Sequence, residues 1–152
     1  NQIAADAALR ALLQPNHLIT PHPGEAARLL GRALADPIED ALALRGLGCQ
    51  ALLKGAASVV SVGNRAVLSA SGCAGMAKGG SGDCLTGLAG SLMAEWAAAG
   101  REVSGAALAE LAAVASEIHG RAGEIAQARR GVRGMCAADI VEALPDALRA
   151  YE

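Results

Sequence analysis

Residues 71–86 read SGCAGMAKGGSGDCLT, a glycine-rich loop that runs directly into an apolar stretch of helical spacing. Within it, AKGGSGD (77–83) offers consecutive backbone N–H groups with almost no side chains in the way. Glycines let such a backbone approach a ligand closely. At the start of a helix, the unpaired N–H groups and the helix dipole both favour an anion, so the loop reads as a phosphate site. It is neither a Walker A loop, GxxxxGK followed by Ser or Thr, nor a GxGxxG dinucleotide fingerprint. Asp83 stands out because a carboxylate competes with a phosphate. Two readings fit it. Asp is a preferred N-cap, worth about 1 kcal/mol. Alternatively it is a general base beside the anion hole, taking a proton from a substrate hydroxyl while the amides stabilise a transferring phosphoryl group.

Upstream of the loop, SVVSVGNRAVLSAS (58–71) reads as a hairpin about Gly63-Asn64, and CQALLKG (49–55) as a buried strand closed by glycine. HLIT (17–20) is a short strand that must end at Pro21, because prolines cannot sit inside a ladder. Helical spacing is expected over DAALRALL (6–13), EAARLLGRAL (25–34) and PIEDALALRGLG (37–48), the last opened by Asp36-Pro37. Downstream, CLTGLAGSLMAEWAAAG (84–100) is a helix stopped by Gly100, and 104–126 holds one or two more. Residues 137–152 hold a final helix, broken near Pro145. Single strands alternating with helices argue for an α/β sheet, parallel at least in part. The sheet is thin and its first strand follows a helix, as in the second half of a larger sheet.

The 152 residues suit one domain, and 53% hydrophobic content is ample for a core. Aromatics are only 1%, with one Trp, one Tyr and no Phe, so the core is built from Ala, Leu, Val and Ile. Aromatic stacking platforms of the single-stranded nucleic-acid kind are therefore missing. The net charge of −2 and the lack of basic runs point to no nucleic-acid or membrane partner, and no membrane span or signal peptide is readable. Cys49, Cys73, Cys84 and Cys136 fit no zinc spacing and are expected to be reduced, mostly buried thiols in a cytoplasmic protein.

Four stretches together resemble the NAD(P)H-hydrate dehydratase branch of the ribokinase-like superfamily. GMAKGGSGDCLTGL (75–88) resembles its signature loop, LITPHPGEAARLLG (18–31) its most distinctive motif and LLKGAASVVSV (52–62) its KGxx(S/T) strand-turn. IHGRAGEIA (118–126) with AADIVEALP (137–145) resembles its C-terminal helices. The resemblance covers nearly the whole chain. It implies an α/β ribokinase-like layered sheet with flanking helices. AADAALRALL (4–13) resembles a segment from about midway in complete members, so residues 1–152 are expected to form the C-terminal part of a single domain.

By this resemblance the activity is ADP- or ATP-dependent dehydration of (S)-NAD(P)H-hydrate: the nucleotide phosphorylates the misplaced hydroxyl, and phosphate then leaves. Mg²⁺ is implied, with ligands unassigned. Asp83 matches the catalytic, hydrate-contacting aspartate, and His22 the histidine lying against the hydrated cofactor. Gly82 matches the glycine at the nucleotide phosphates, Gly79 and Gly80 complete that anion hole, and Lys54, Gly55, Ala56, Ala57 and Ser58 match the segment lining the nucleotide. His22 also has a plain reading as a loop histidine bonded to its neighbours, Lys54 as a snorkelling lysine, and Glu25 as a helix-dipole residue that lies near the metal and phosphates in the resemblance. Lys78, where the family commonly has Thr or Ala, is expected to add positive charge near the phosphates. The resemblance also implies a homo-oligomer or a complementing N-terminal fragment. The rival readings are a ribokinase-like kinase for another small molecule and a catalytically inactive nucleotide-binding fragment.

Overall fold

Helix boundaries in the first half are set by capping residues. The computed structural model describes residues 2–151. Asp6, in extended conformation, accepts hydrogen bonds from the Ala8 and Leu9 amides. It thereby divides the single helix expected over 6–13 into α1 (Gln2–Ala5) and α2 (Ala7–Ala11). Strand β1 (Leu18–Ile19) ends before Pro21, as expected. Helix α3 (Pro23–Leu30) starts two residues before the expected Glu25, because Pro23 takes the first helical position, where its missing N–H costs nothing. It stops at Leu30, short of the expected 34, because Gly31 turns left-handed at φ 65°. Asp36 caps α4 (Pro37–Arg45) through the Ile38 and Glu39 amides, and Pro37 again fills the first position.

Strands β2 (Gln50–Leu53), β3 (Ser58–Val62) and β4 (Arg65–Ser69) follow, with the hairpin turn at Gly63, φ 59°. The sheet order is β1-β2-β3-β4. β1 and β2 are parallel, with Leu18 opposite Gln50, and the other pairs are antiparallel. Side chains of a strand alternate between faces. Leu52 and Val60, paired across β2 and β3, face one layer of helices, whereas Leu53 and Val59 face the other. Leu53 and Val59 pack with Ala26 and Leu29 of α3 and with Ala41 and Leu44 of α4. Leu52 and Val60 pack with the C-terminal helices through Leu85, Ala112, Ile118 and Ile140. The result is a thin mixed sheet between two helical layers.

Those C-terminal helices are α5 (Ser81–Ala98), α6 (Gly105–Gly134) and α7 (Ala137–Leu148), with single 3₁₀ turns at Ala74–Met76 and Arg149–Tyr151. Helix α5 begins three residues before the expected Cys84, inside the glycine loop. Helix α6 runs past 126 and is interrupted at Gly131, φ 74° and ψ 160°. The break expected near Pro145 does not occur, since α7 passes through it. The carbonyl that Pro145 cannot pair belongs to Val141, a residue 49% exposed, where solvent can serve it. Beyond the proline the ladder closes again, with the Arg149 amide donating to the Pro145 carbonyl. No described helix is long and apolar enough to cross a membrane.

Candidate functional site

The glycine loop leaves four of its amides unspent, while those of Ala77, Lys78 and Ser81 donate to the carbonyls of Ala74, Met76 and Lys78. Gly80, at φ 89°, is the N-cap of α5, and no side chain caps that end. The first bond of the helix is Cys84 N–H to Gly80 O, at 3.1 Å. Among the described residues the Gly79, Gly80, Gly82 and Asp83 amides donate to nothing. Lys54 leaves the end of β2 tied by its own amide to Pro21 O at 2.9 Å, and its ammonium lies over Gly82. A Cβ built on Gly82 would stand 2.9 Å from that Nζ. Glycine at 82 therefore brings an ammonium and open helix amides to one spot, a pairing that suits a phosphate.

This spot forms part of a cavity of about 960 Å³, reaching from His22 and Lys54 to His119 and Gly120. Of the residues expected from sequence, His22, Lys54, Gly55, Ala56, Ser58, Gly79 and Gly82 line it, and Ala57, Gly80 and Asp83 do not. Ala57 shapes the wall through its backbone, its carbonyl lying 3.1 Å from where a Gly55 Cβ would stand. Gly80 turns away, with room for no Cβ beyond 3.0 Å from that of Ala137. Asp83 is exposed at the third position of α5, one residue past the wall. It is not the N-cap, so the capping reading of its sequence position is replaced by a first-turn carboxylate that bonds no backbone amide.

His22 and Glu25 lock each other. His22 Nδ1 accepts from the Glu25 amide at 3.2 Å, and Glu25 Oε2 accepts from the His22 amide at 2.8 Å. With Nδ1 accepting, a neutral ring carries its proton on Nε2, which is 3.6 Å from Glu25 Oε1. Burial works upward on the Glu25 carboxyl. The His22 amide, the His22 ring and Lys54 outweigh it and hold Glu25 below the usual carboxylate range. A carboxylate with a lowered folded pKa stabilises the fold fully above its ordinary pKa and loses that contribution as pH falls through the folded value. The stability gap between the parent and Glu25→Gln is therefore expected to be open at pH 7 and to close in acid. Urea unfolding midpoints across that range check it, and a gap independent of pH contradicts it.

Lys78 lines the same cavity, and its ammonium also has a structural tie. Its ammonium donates to the carbonyls of Arg133 at 3.0 Å and Met135 at 2.6 Å, where it ties the glycine loop to the α6–α7 junction. The charge expected near the phosphates is thus engaged by the end of α6, and Lys54 is the lysine at Gly82.

Sequence reasoning assigned no role to His119. It is 7% exposed on α6 and lines the cavity, with Nε2 3.5 Å from Ser81 Oγ. Burial pushes its pKa down and Lys54 adds to this, against the hydrogen bond at Ser81, so the ring is neutral at pH 7. His119 lies within IHGRAGEIA (118–126), a stretch read for its likeness to the C-terminal helices and not for a site. Only the packing of α6 against α5 brings it to the cavity.

The four cysteines are free, and among the described residues no group of three or more His, Cys, Asp or Glu side chains could hold a metal. Only Cys49 is fully buried, and Cys136 is exposed, so the expectation of mostly buried thiols is too broad. Burial, and then the Asp83 carboxylate, push the Cys84 thiol up.

A family model described as NAD(P)H-hydrate dehydratase matches residues 1–146. The bifunctional NAD(P)H-hydrate repair enzyme Nnr of Escherichia coli (strain K12) is 42% identical over 135 residues, which are 85% of this chain and 24% of that protein. An ADP-dependent (S)-NAD(P)H-hydrate dehydratase of Neisseria meningitidis serogroup B is 39% identical over 148 residues, 88% of this chain and 50% of that protein. The chain therefore spans about a quarter of the bifunctional relative and half of the single-activity one. In fold it is similar to the Bacillus subtilis ADP/ATP-dependent NAD(P)H-hydrate dehydratase co-crystallised with ATP and Mg²⁺. The TM-score is 0.65 at 23% identity, over 89% of this chain and 48% of that one. The architecture is ribokinase-like, as the motifs implied.

Proposed function

This chain belongs to the NAD(P)H-hydrate dehydratase family, and from that premise we propose that it carries the nucleotide half of a site for ADP- or ATP-dependent dehydration of (S)-NAD(P)H-hydrate. We place it as the C-terminal part, residues 1–152, of one ribokinase-like domain acting in the cytoplasm. The observation that carries the reading is the Lys54 ammonium over Gly82, at a helix start whose amides are unspent, inside a cavity that also takes in His22.

In this reading the amides of Gly79, Gly80 and Gly82 and the Lys54 ammonium bind the nucleotide phosphates, and the turn at 54–58 lines the nucleotide. Both stabilise charge on the transferring phosphoryl group. His22, held by Glu25, lies against the hydrate. Asp83, at the rim, accepts the proton of the hydrate hydroxyl as its oxygen attacks the terminal phosphorus, and the bridging P–O bond breaks to release AMP from ADP. The C–O bond then breaks, inorganic phosphate leaves, and loss of a ring proton restores the dihydronicotinamide double bond. No reductant or oxidant is needed. Mg²⁺, when bound, neutralises charge on the phosphates. It usually takes one or two carboxylates plus phosphate oxygens. In this reading the cleft is completed by a complementing N-terminal portion or by a second copy in a homo-oligomer.

The test supplies hydrated NADPH with ADP or ATP to the full polypeptide and follows the return of nicotinamide absorbance. No return removes the dehydratase reading. Lys54→Met is expected to weaken ADP binding about tenfold, the scale of one charge-assisted hydrogen bond. Titration calorimetry reads this, and unchanged affinity takes Lys54 away from the phosphates.

A further inference from the structure

One face of α6 carries the segment from Ser71 to Met76 that leads into the glycine loop. Glu117, Gly120, Glu124 and Gln127 recur at spacings of three and four, so they share one stripe of the helix. Each meets the segment in turn. The Ser71 hydroxyl donates to the Glu117 carbonyl at 3.1 Å. The Gly72 amide donates to Glu124 Oε1 at 2.8 Å, and the Gly75 amide to Gln127 Oε1 at 3.0 Å. Between these anchors the helix is bare. A Cβ on Gly120 would stand 2.1 Å from Ser71 Oγ, and one on neighbouring Gly123 2.1 Å from Met76 Sδ. Gly72 itself is at φ 119°, a conformation L side chains rarely adopt. The segment is thus registered on α6 by acceptors at fixed heights and by the missing side chains between them.

The other side of the same segment is cavity wall, through Ser71, Gly72, Cys73, Ala74 and Met76. That wall is backbone, one serine hydroxyl, aliphatic carbon and sulfur, and it holds no aromatic ring. A flat ligand there depends on where the backbone stands, because nothing in the wall can stack on it.

We propose that Glu124 and Gln127 are positioning residues: by holding the Gly72 and Gly75 amides they fix the wall of residues 71–76 and so set the affinity of the cavity for adenine nucleotide. This rests on the nucleotide reading of the cavity given above. Neither side chain is a cavity-lining residue, and both act through the segment.

The test measures ADP affinity by calorimetry, together with turnover of hydrated NADPH, in the full polypeptide. Glu124→Leu and Gln127→Leu remove the acceptor and are expected to raise the ADP dissociation constant about tenfold, the scale of a hydrogen bond to a charged or amide acceptor. Glu124→Gln and Gln127→Glu keep an acceptor oxygen and are expected to stay within about twofold. At saturating nucleotide, kcat and the KM for hydrate are expected to be unchanged in all four. If a leucine variant does not fold, alanine at the same position adds no bulk and decides the question. Unchanged ADP affinity in the acceptor-deleting variants overturns the proposal. So does an equal loss in the acceptor-keeping ones, or a loss of kcat in place of nucleotide affinity. A parent that binds ADP with this dependence but turns over no hydrate overturns the dehydratase reading alone.

Discussion

Replacing Asp83 by Asn is expected to leave ADP affinity within about twofold of the parent while lowering turnover of hydrated NADPH by at least ~100-fold, the usual scale for losing a general base. The structure makes this substitution clean. Asp83 is exposed in the first turn of α5, the N-cap of that helix is Gly80, and no side chain caps it. Its remaining structural contribution is a negative charge at the positive end of the helix, worth about 0.3–1 kcal/mol at an exposed site. Asn keeps the shape and removes the charge, so stability changes little. The open amides of Gly79, Gly80 and Gly82, proposed to bind phosphate, and the Lys54 ammonium are untouched. A large loss of turnover with nucleotide binding intact can then come only from proton transfer or hydrate positioning at residue 83. Turnover near the parent level would reduce Asp83 to a first-turn charge and move the base elsewhere on the cavity rim.

What was legible in the chain was whatever local geometry dictates. His22-Pro23 and Asp36-Pro37 announce helix starts because Pro fits only the first turn and the preceding residue must be extended. Gly63-Asn64 announces its hairpin in the same way. The open helix start at the glycine loop was legible because glycines supply no capping side chain and need no distant partner to leave amides bare. Elements decided at a distance were not legible. Helix α5 begins at Ser81 because Gly80 turns left-handed beside Ala137, more than fifty residues away. Lys78 finds carbonyls at the end of α6 only once the α6–α7 junction lies beside the loop. Pro145 leaves α7 whole where the carbonyl it orphans belongs to Val141, a half-exposed residue, a fact of packing that the residue type does not disclose.

The same distinction separates two glycines that look alike in sequence. Gly82→Ala would place a methyl 2.9 Å from Lys54 Nζ, the tip of a flexible chain that can swing away. That change is expected to be neutral or stabilising for the fold, since Ala is favoured over Gly in helices by about 1 kcal/mol. Its cost falls on the ammonium it displaces, and hence on nucleotide affinity. Gly120→Ala gains the same helix propensity but meets Ser71 at Oγ, 2.1 Å, and at its backbone C and O, both 2.7 Å. The hydroxyl can rotate and the backbone cannot. Ser71 is held there through its bond to the Glu117 carbonyl, and the next amide, that of Gly72, is held by Glu124. Either α6 must move off the segment, or the segment must leave its acceptors. Overpacking of this kind costs about 1–3 kcal/mol or more, and a net destabilisation of about 2 kcal/mol is expected in denaturant unfolding. Because Ser71 and Gly120 both line the cavity, a weaker affinity for ADP is expected along with it. A Gly120→Ala protein as stable as its parent would mean that α6 does not lie on the segment at this distance, and the registration of the nucleotide wall on that helix would fail with it.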